Sequence, residues 1–311
     1  MIKALPSQLS SIAAFCKAAE LQSFTAAALT LGLTPAAVSR SIGRLELRLG
    51  LKLFRRSTRN VQLSEEGRIY YEQCHAALTQ IEDAERVLTG EQSEPKGLLR
   101  ISLPSTYAHY RLLPSLPQFH KKHPNIRLDI NVSNRNIDFI EEGYDLAIRL
   151  GEPPDSRLIA KKLEDAPLGL YANPSYLAEF GSPADYEALQ DHKRYTLLPF
   201  LLPSTGKVLP WLLNVSGSAV AFTPSSRFLV SEDPLASVSL ARAGLGIVQT
   251  MRWIGQAHHS ELREILPDLS GRSRPFYVLY PESKKAIVRV RVMVAFLVGL
   301  LDQGKSTEST A

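Results

Sequence analysis

At 311 residues the chain exceeds what one hydrophobic core usually organises, so two or three domains are expected. Its 44% hydrophobic and 22% charged residues make it globular rather than disordered, and its two cysteines exclude a disulfide framework. Charge is concentrated: of the net +5, nine Lys and Arg between Met1 and Ser64 face only Glu20 and Glu46, leaving +7 there on a slightly acidic remainder. This points to a nucleic-acid module joined to a second function.

The spacing of Leu9, Ile12, Phe15 and Ala19 predicts a helix over Gln8 to Glu20. Ser23 can cap a second helix, FTAAALTLGL, which stops at Gly32. Thr34 can cap a third with Pro35 in its first turn, where a missing N–H is harmless. Helix, Gly-containing turn, helix is helix-turn-helix grammar. At about 100° per residue, Val38, Ile42, Leu45 and Leu49 share one stripe of the third helix. Ala36, Arg40, Gly43 and Arg44 fall opposite, flanked by Ser39 and Arg48. Small residues admit base edges closely, and arginine pairs with guanine or phosphate. Leu47 shares that face and has no evident role there.

Alternation in Leu51 to Arg56 and Asn60 to Leu63 predicts a hairpin, a wing whose tip carries Arg56, Ser57, Thr58 and Arg59. Ser64, Glu65 and Glu66 open a long helix. Within it Tyr70, Cys74, Ala77, Ile81, Ala84 and Leu88 trace a heptad seam, to be buried by a partner helix in a dimer or by the rest of the same chain. Cys16 and Cys74 read as small core hydrophobes. Residues 90–97 are polar and breaker-rich, a hinge. Strands follow at Leu99 to Leu103, Arg127 to Ser133 and Asp145 to Leu150. They alternate with helices at Tyr107 to Lys122 (containing Pro114 and Pro117) and Ile137 to Glu142, a pattern of parallel sheet with covered faces. Further on come a helix over Ser231 to Ala243, strands at Gly246 to Thr250 and Phe276 to Tyr280, a closing helix over Val288 to Leu301, and a tail at 303–311.

Ser, Gln and Lys17 break up the N-terminal apolar residues, so this end does not read as a signal peptide, and no run of about 18 mostly apolar residues predicts a membrane span. A cytoplasmic protein without a membrane partner is expected.

The stretch SFTAAALTLGLTPAAVSRSIGRLELRLGLKLFRRSTRNVQLSEEG, residues 23–67, resembles the LysR-type transcriptional regulators, and EEGYDLAIRLG and ARAGLGIV resemble the same family's effector domain. The family's usual Gly before Ser23 is Gln22 here, a change expected to alter only the turn. The resemblance implies an α+β multidomain chain: an all-α winged helix-turn-helix at 1–66 (helix-turn-helix about 24–43) and a dimerising linker helix at 67–89. After the hinge it implies an α/β two-lobed domain of the periplasmic-binding-protein type 2 at 98–302, with lobe I at 98–166 and 270–301 and lobe II at 167–269. It implies homodimers, usually paired into homotetramers, on promoter DNA in a bacterial cell. A small-molecule co-effector of unspecified identity binds between the lobes and alters DNA bending and RNA polymerase recruitment. Ser23, Thr25, Thr34, Pro35, Ala36, Ser39, Arg40, Arg44, Arg56, Thr58 and Arg59 match DNA-contacting positions. Phosphate contacts would supply affinity, with Ser39 and Arg40 reading bases.

For the effector, Ser105 and Thr106 follow the first strand at a helix start, and Ser133 ends the second strand. Arg149 lies on the third strand, and Glu232 and Asp233 open the Ser231 helix. Ser105 as a mere cap and Arg149 as a surface ion-pair partner are the alternatives; together they favour an anionic or hydroxyl-bearing effector.

No enzyme is indicated. Gly244-Leu245-Gly246 lacks the third glycine of a dinucleotide fingerprint, His120 and His123 sit among lysines, and His258-His259 would diverge on a helix. A DNA-binding repressor or architectural regulator without an effector is the alternative function, and no resident cofactor or metal is expected.

Overall fold

The computed structural model describes residues 5–56, 61–89, 94–135, 142–153 and 158–308. The chain divides into two compact units, residues 1–93 and 94–311.

In the first unit, α1 (Leu5–Leu21), α2 (Phe24–Thr30) and α3 (Pro35–Leu49) precede a hairpin of β1 (Phe54–Arg56) and β2 (Val61–Leu63) and the long helix α4 (Glu65–Thr89). Side-chain chemistry sets each boundary. The hydroxyl oxygens of Ser23 and Thr34 accept the amides of Ala26 at 3.1 Å and Ala37 at 3.2 Å, capping α2 and α3. Gly50, at φ +69°, turns the chain out of α3. Gln22 takes φ +49°, a left-handed turn in which glycine would avoid Cβ crowding. Phe15, Val38, Ile42, Leu45 and Leu53 make the core, with Phe15 edge-on to Phe54 at 5.4 Å. The first turns of α4 close this core through Tyr70, Tyr71, Cys74 and Leu78.

The wing strand expected from Leu51 begins at Phe54 instead. Glu46, buried on α3, accepts the amides of Leu53 (2.9 Å) and Phe54 (3.4 Å), so the N–H groups there are turned back to α3 and residues 51–53 serve as the turn out of it. The amide of Ser64 donates to the Leu53 carbonyl at 2.9 Å, and the Ser64 hydroxyl donates to the Lys52 carbonyl at 2.6 Å while accepting the amide of Gly67.

In the second unit, β3 (Gly97–Leu103) pairs in parallel with β4 (Ile126–Val132) and β5 (Leu146–Leu150). Between β3 and β4 runs a helical segment, α5 (Ser105–Tyr107), a π-helical turn (Ala108–Leu112) and α6 (Leu113–Lys122). The wide turn lies just ahead of Pro114, whose missing N–H and bulky ring disfavour regular α-geometry there, while Pro117 is carried inside α6. The sheet is mixed rather than purely parallel. β6 (Leu158–Ala172) pairs antiparallel with β11 (Ser273–Pro281) as far as Pro167, then continues from Leu168 between β9 (Ile247–Met251) and β10 (Arg263–Ile265), both antiparallel to it. One 15-residue strand thus runs through both lobes.

The second lobe adds α7 (Pro174–Phe180), α8 (Tyr186–Leu189), the hairpin β7 (Trp211–Val215) and β8 (Ser218–Phe222), α9 (Pro234–Arg242) and α10 (Arg252–Ala257). The last helix, α11 (Val288–Glu308), buries Val290, Met293 and Leu297 in the first lobe's core. It runs on through residues 303–308, part of the expected tail, because no proline stops it; 309–311 lie outside the described residues, as do 137–141 of the short helix expected over Ile137 to Glu142. Among the described residues no helix is long and apolar enough to cross a membrane.

Two glycine substitutions should act in opposite directions. A Cβ at Gly67 would lie 1.9 Å from the Leu53 carbonyl oxygen, whereas one at Gly43 on α3 meets nothing within 4 Å. Gly67→Ala should destabilise the protein by about 1–3 kcal/mol and Gly43→Ala should stabilise it by up to about 1 kcal/mol. Urea unfolding midpoints of the two variants check both.

Candidate DNA-binding surface and effector cavity

The third helix separates its faces cleanly. Val38, Ile42 and Leu45 are buried and Leu49 is half-buried, while Pro35, Ala36, Ser39, Arg40, Arg44 and Arg48 are exposed. Arg40 makes no hydrogen bond or ion pair among the described residues, and Arg44 donates only to Ser41 Oγ at 3.1 Å. Those guanidiniums are therefore available to a polyanion. Ser23 and Thr34 use their oxygens as caps and keep their O–H donors, and Thr25 is exposed in the first turn of α2. Leu47 is 84% exposed on the same helix, and nothing in the structure explains it. Of the wing residues, Thr58, Arg59 and the Arg56 side chain lie outside the described residues.

Glu46 is a residue the sequence reading passed over. Its carboxylate, 7% exposed, accepts Lys52 Nζ at 2.8 Å as well as the two wing amides. Burial alone would raise this acid, but the Lys52 ammonium and the Leu53 and Phe54 amides outweigh it and hold the carboxyl below its ordinary 4.5. The signal for it was an acid falling on the apolar stripe of an otherwise basic helix.

On α4, Tyr70 and Cys74 of the heptad seam are half-buried against their own unit's core, whereas Ala77 and Ile81 are exposed; the Ala84 and Leu88 side chains lie outside the described residues. Burial lifts the Cys16 thiol to about 12 and also raises Cys74, so both are poor nucleophiles.

Within the second unit a cavity of about 260 Å³ opens between the lobes. Thr106 and Arg149 line it; Ser105, Ser133, Glu232 and Asp233 do not. Ser105 instead donates its hydroxyl to Asp233 Oδ1 at 2.6 Å, and the same oxygen accepts the Leu235 amide at 3.0 Å, capping α9. Asn134 Nδ2 donates to Ser105 Oγ (3.2 Å) and to the Glu232 carbonyl (2.7 Å). These residues tie one lobe to the other beside the cavity, which Asn134 and Pro234 also line. Ser133 binds locally, its amide on the Leu103 carbonyl at 2.9 Å. Further interlobe contacts join Tyr110 Oη to His258 Nε2 at 2.7 Å and lay Arg111 over the Trp253 ring at 4.8 Å.

Arg149 donates from Nη1 to the Ile148 carbonyl and from Nη2 to Ser102 Oγ, both at 2.7 Å, while its buried Nε has no partner. Burial, with Arg135 adding repulsion, lowers its pKa to about 10, so it stays cationic at neutral pH. Arg274, absent from the sequence-level candidates, also lines the cavity, donates to the Pro210 carbonyl at 2.6 Å and is likewise lowered by burial. Among the described residues no group of three or more His, Cys, Asp or Glu side chains is gathered for a metal.

Glu46→Gln should lower stability by about 1–2 kcal/mol at pH 7, since it removes a charge-assisted bond and weakens two more. A carboxyl held low contributes stability above its ordinary value and loses it on protonation, so the gap between wild type and variant should close as pH falls below 4.5. Urea unfolding of both proteins at pH 7 and pH 3 measures it.

Residues 9–68 match the family profile of the bacterial regulatory helix-turn-helix protein, lysR family, and residues 92–302 match the LysR substrate binding domain. An HTH-type transcriptional regulator of Xanthomonas campestris pv. campestris is 33% identical over 290 residues, 93% of this chain and 84% of the relative. The HTH-type transcriptional activator AaeR of Escherichia coli is 32% identical over 289 residues, 92% of each chain. Among solved structures, the LysR-type regulator CrgA of Neisseria meningitidis superposes with a TM-score of 0.59 at 30% identity, covering 93% of this chain and 97% of its own. The full-length Vibrio cholerae virulence activator AphB gives 0.57 at 28%, covering 94% and 98%. With a basic recognition helix at one end and a two-lobed, cavity-bearing domain at the other, the chain belongs to the LysR family of helix-turn-helix transcriptional regulators.

Proposed function

We propose that this LysR-type regulator reads promoter DNA through α3 and its wing, and that a small-molecule effector held in the interlobe cavity modulates its action. The observation that carries the DNA reading is the exposed α3 face, which presents Arg40, Arg44 and Arg48 while the only acid of the helix, Glu46, is buried. Ser39 and Arg40 are the base readers, with Pro35 and Ala36 permitting close approach. Ser23, Thr25, Thr34, Arg56, Thr58 and Arg59 hold phosphates, and Arg44 serves either purpose. Residues 1–66 thus form the DNA-binding module.

Residues 67–89 pair two copies through the exposed part of the α4 seam, Ala77 and Ile81, extended by Ala84 and Leu88; Tyr70 and Cys74 support the seam from within each copy. Pairs of dimers occupy two neighbouring promoter sub-sites as a homotetramer in the bacterial cytoplasm and act on RNA polymerase there. In the effector domain, Thr106 and Arg149 face the small molecule. Ser105, Asn134, Glu232 and Asp233 hold the lobes together next to it and transmit its presence as a change of interlobe geometry.

Footprinting on DNA upstream of the protein's own gene, at two salt concentrations, tests the reading. Protection over two sub-sites that weakens with salt is the expected result. Arg40→Ala should weaken binding to that site by about 1–3 kcal/mol and leave binding to random DNA nearly unchanged. An unaltered preference between the two DNAs, read by fluorescence anisotropy, would remove Arg40 from base recognition.

A further inference from the structure

We infer that the interlobe cavity takes a compact, apolar-bodied carboxylate whose head group is received by Arg274. The inference rests on the reading of this cavity as the effector site and assigns the chemistry of its ligand.

The charge balance of the lining is one-sided. Arg149 and Arg274 both face the cavity, and none of the described residues lining it is Asp or Glu. A guanidinium carries five N–H donors. Arg149 uses two of its own, on the Ile148 carbonyl and Ser102 Oγ, and Arg274 uses one, on the Pro210 carbonyl. Neither forms an ion pair among the described residues, and Arg274 keeps the larger number of uncommitted donors. Arg149 has the Glu142 carboxylate within electrostatic reach, whereas Arg274 is lowered by burial alone with no acid acting on it, so a ligand that brings a negative charge is favoured there. The planar fork of arginine suits a carboxylate, which it can grip with two parallel bonds.

The rest of the lining restricts the ligand's body. Leu198, Phe200, Leu202, Trp211, Val248 and Met251 make most of the wall apolar. Several polar neighbours are already engaged. Gln249 spends both ends of its amide on the Leu212 backbone at 2.9 Å, Asn134 is held by Ser105 and Glu232, and Ser237 Oγ donates to the Pro199 carbonyl. The Thr106, Thr250 and Ser204 hydroxyls are left, enough for one or two polar substituents and too few for a polyol. An α-amino acid would bury its ammonium beside an arginine, with no acid among the described lining residues to receive it. A phosphate monoester would bring nearly a second charge, and its additional desolvation, into a mostly apolar wall. At about 260 Å³ the cavity falls just below the roughly 300–1,000 Å³ of sites for drug-sized ligands, so the body is small.

Isothermal titration of the full-length protein tests this with benzoate and hexanoate as probes, and with benzamide, L-phenylalanine and phenyl phosphate as comparators. Saturable binding of at least one carboxylate is expected, with benzamide and phenylalanine at least tenfold weaker. Arg274→Gln should weaken the carboxylate at least tenfold and leave benzamide unchanged. Arg274→Lys, which keeps the charge but not the fork, should fall between the two. An unliganded melting temperature close to wild type shows that a variant is folded, and the lysine variant carries the test if the glutamine variant is not.

Carboxylate affinity unaffected by both variants overturns the proposal. So does phenylalanine or phenyl phosphate binding as tightly as the carboxylates, or no carboxylate binding at all. A parallel footprint with a low-molecular-weight bacterial extract separates the two levels. If the extract changes the footprint while no carboxylate binds, the cavity remains an effector site and only its ligand class is wrong. If neither extract nor probe has any effect, the effector reading falls with it.

Discussion

An ionised carboxylate buried on a helix that otherwise displays arginines is unfavourable unless it is fully bonded, and Glu46 is. Its partners are a lysine one turn beyond the helix and the two amides that lead into the wing. Through those bonds the recognition helix dictates where β1 starts. Because Leu53 and Lys52 in turn receive the Ser64 amide and hydroxyl, the same arrangement dictates where α4 begins. Recognition helix, wing and linker helix are therefore registered on residues 46–54 rather than by apolar packing alone. The close approach leaves room only for hydrogen at Gly67. A protein that must hold base-reading and phosphate-binding groups in fixed relation along a groove needs such a directional tie, since hydrophobic packing is non-directional.

The effector domain rests on a different constraint. β6 belongs to both lobes, hydrogen-bonded to β11 in its first part and to β9 and β10 in its last. The lobes are joined by continuous strand, so relative motion must bend or twist β6 while exchanging side-chain contacts across the gap. Beside the packing of Trp253 on Tyr110 and Arg111, those contacts include polar pairs: Ser105 with Asp233, Asn134 with the Glu232 carbonyl, Tyr110 with His258. Each partly exposed bond contributes on the order of 1 kcal/mol, small enough for a ligand in the adjoining cavity to shift the balance between arrangements.

What could be read from the sequence followed the range of the interactions. The caps at Ser23 and Thr34, the buried stripe Val38–Ile42–Leu45 and the strand over Leu99 to Leu103 depend on neighbours a few residues away, and periodicity exposes them. The start of β1 at Phe54 depends on a side chain eight residues earlier, which alternation of apolar residues does not register. Arg274 reaches the cavity only because β11, late in the chain, returns to the sheet beside β5. The role of Ser105 was legible as a helix-start hydroxyl, but its partner Asp233 is 128 residues away, so a pairing across the lobes was read as two separate ligand contacts. The α4 seam was ambiguous for another reason. Heptad spacing specifies a buried stripe without naming what buries it, and the unit's own core covers Tyr70 and Cys74.

The arginines show how one side chain serves two kinds of recognition through its surroundings. Arg40 and Arg44 stand in water, where each pairwise attraction is weak and screened beyond a Debye length of about 8 Å at physiological salt. Useful binding there requires many phosphates at once, and the affinity inherits their salt dependence. Arg149 and Arg274 are drawn into a mostly apolar wall, where burial lowers the pKa of both. A single anion beside Arg274 would meet little screening and be favoured by the desolvation that cation has already undergone. The surface suits a polymer of charges and the cavity suits one charge. Added salt should therefore weaken DNA binding much more steeply than binding of a small anion in the cavity.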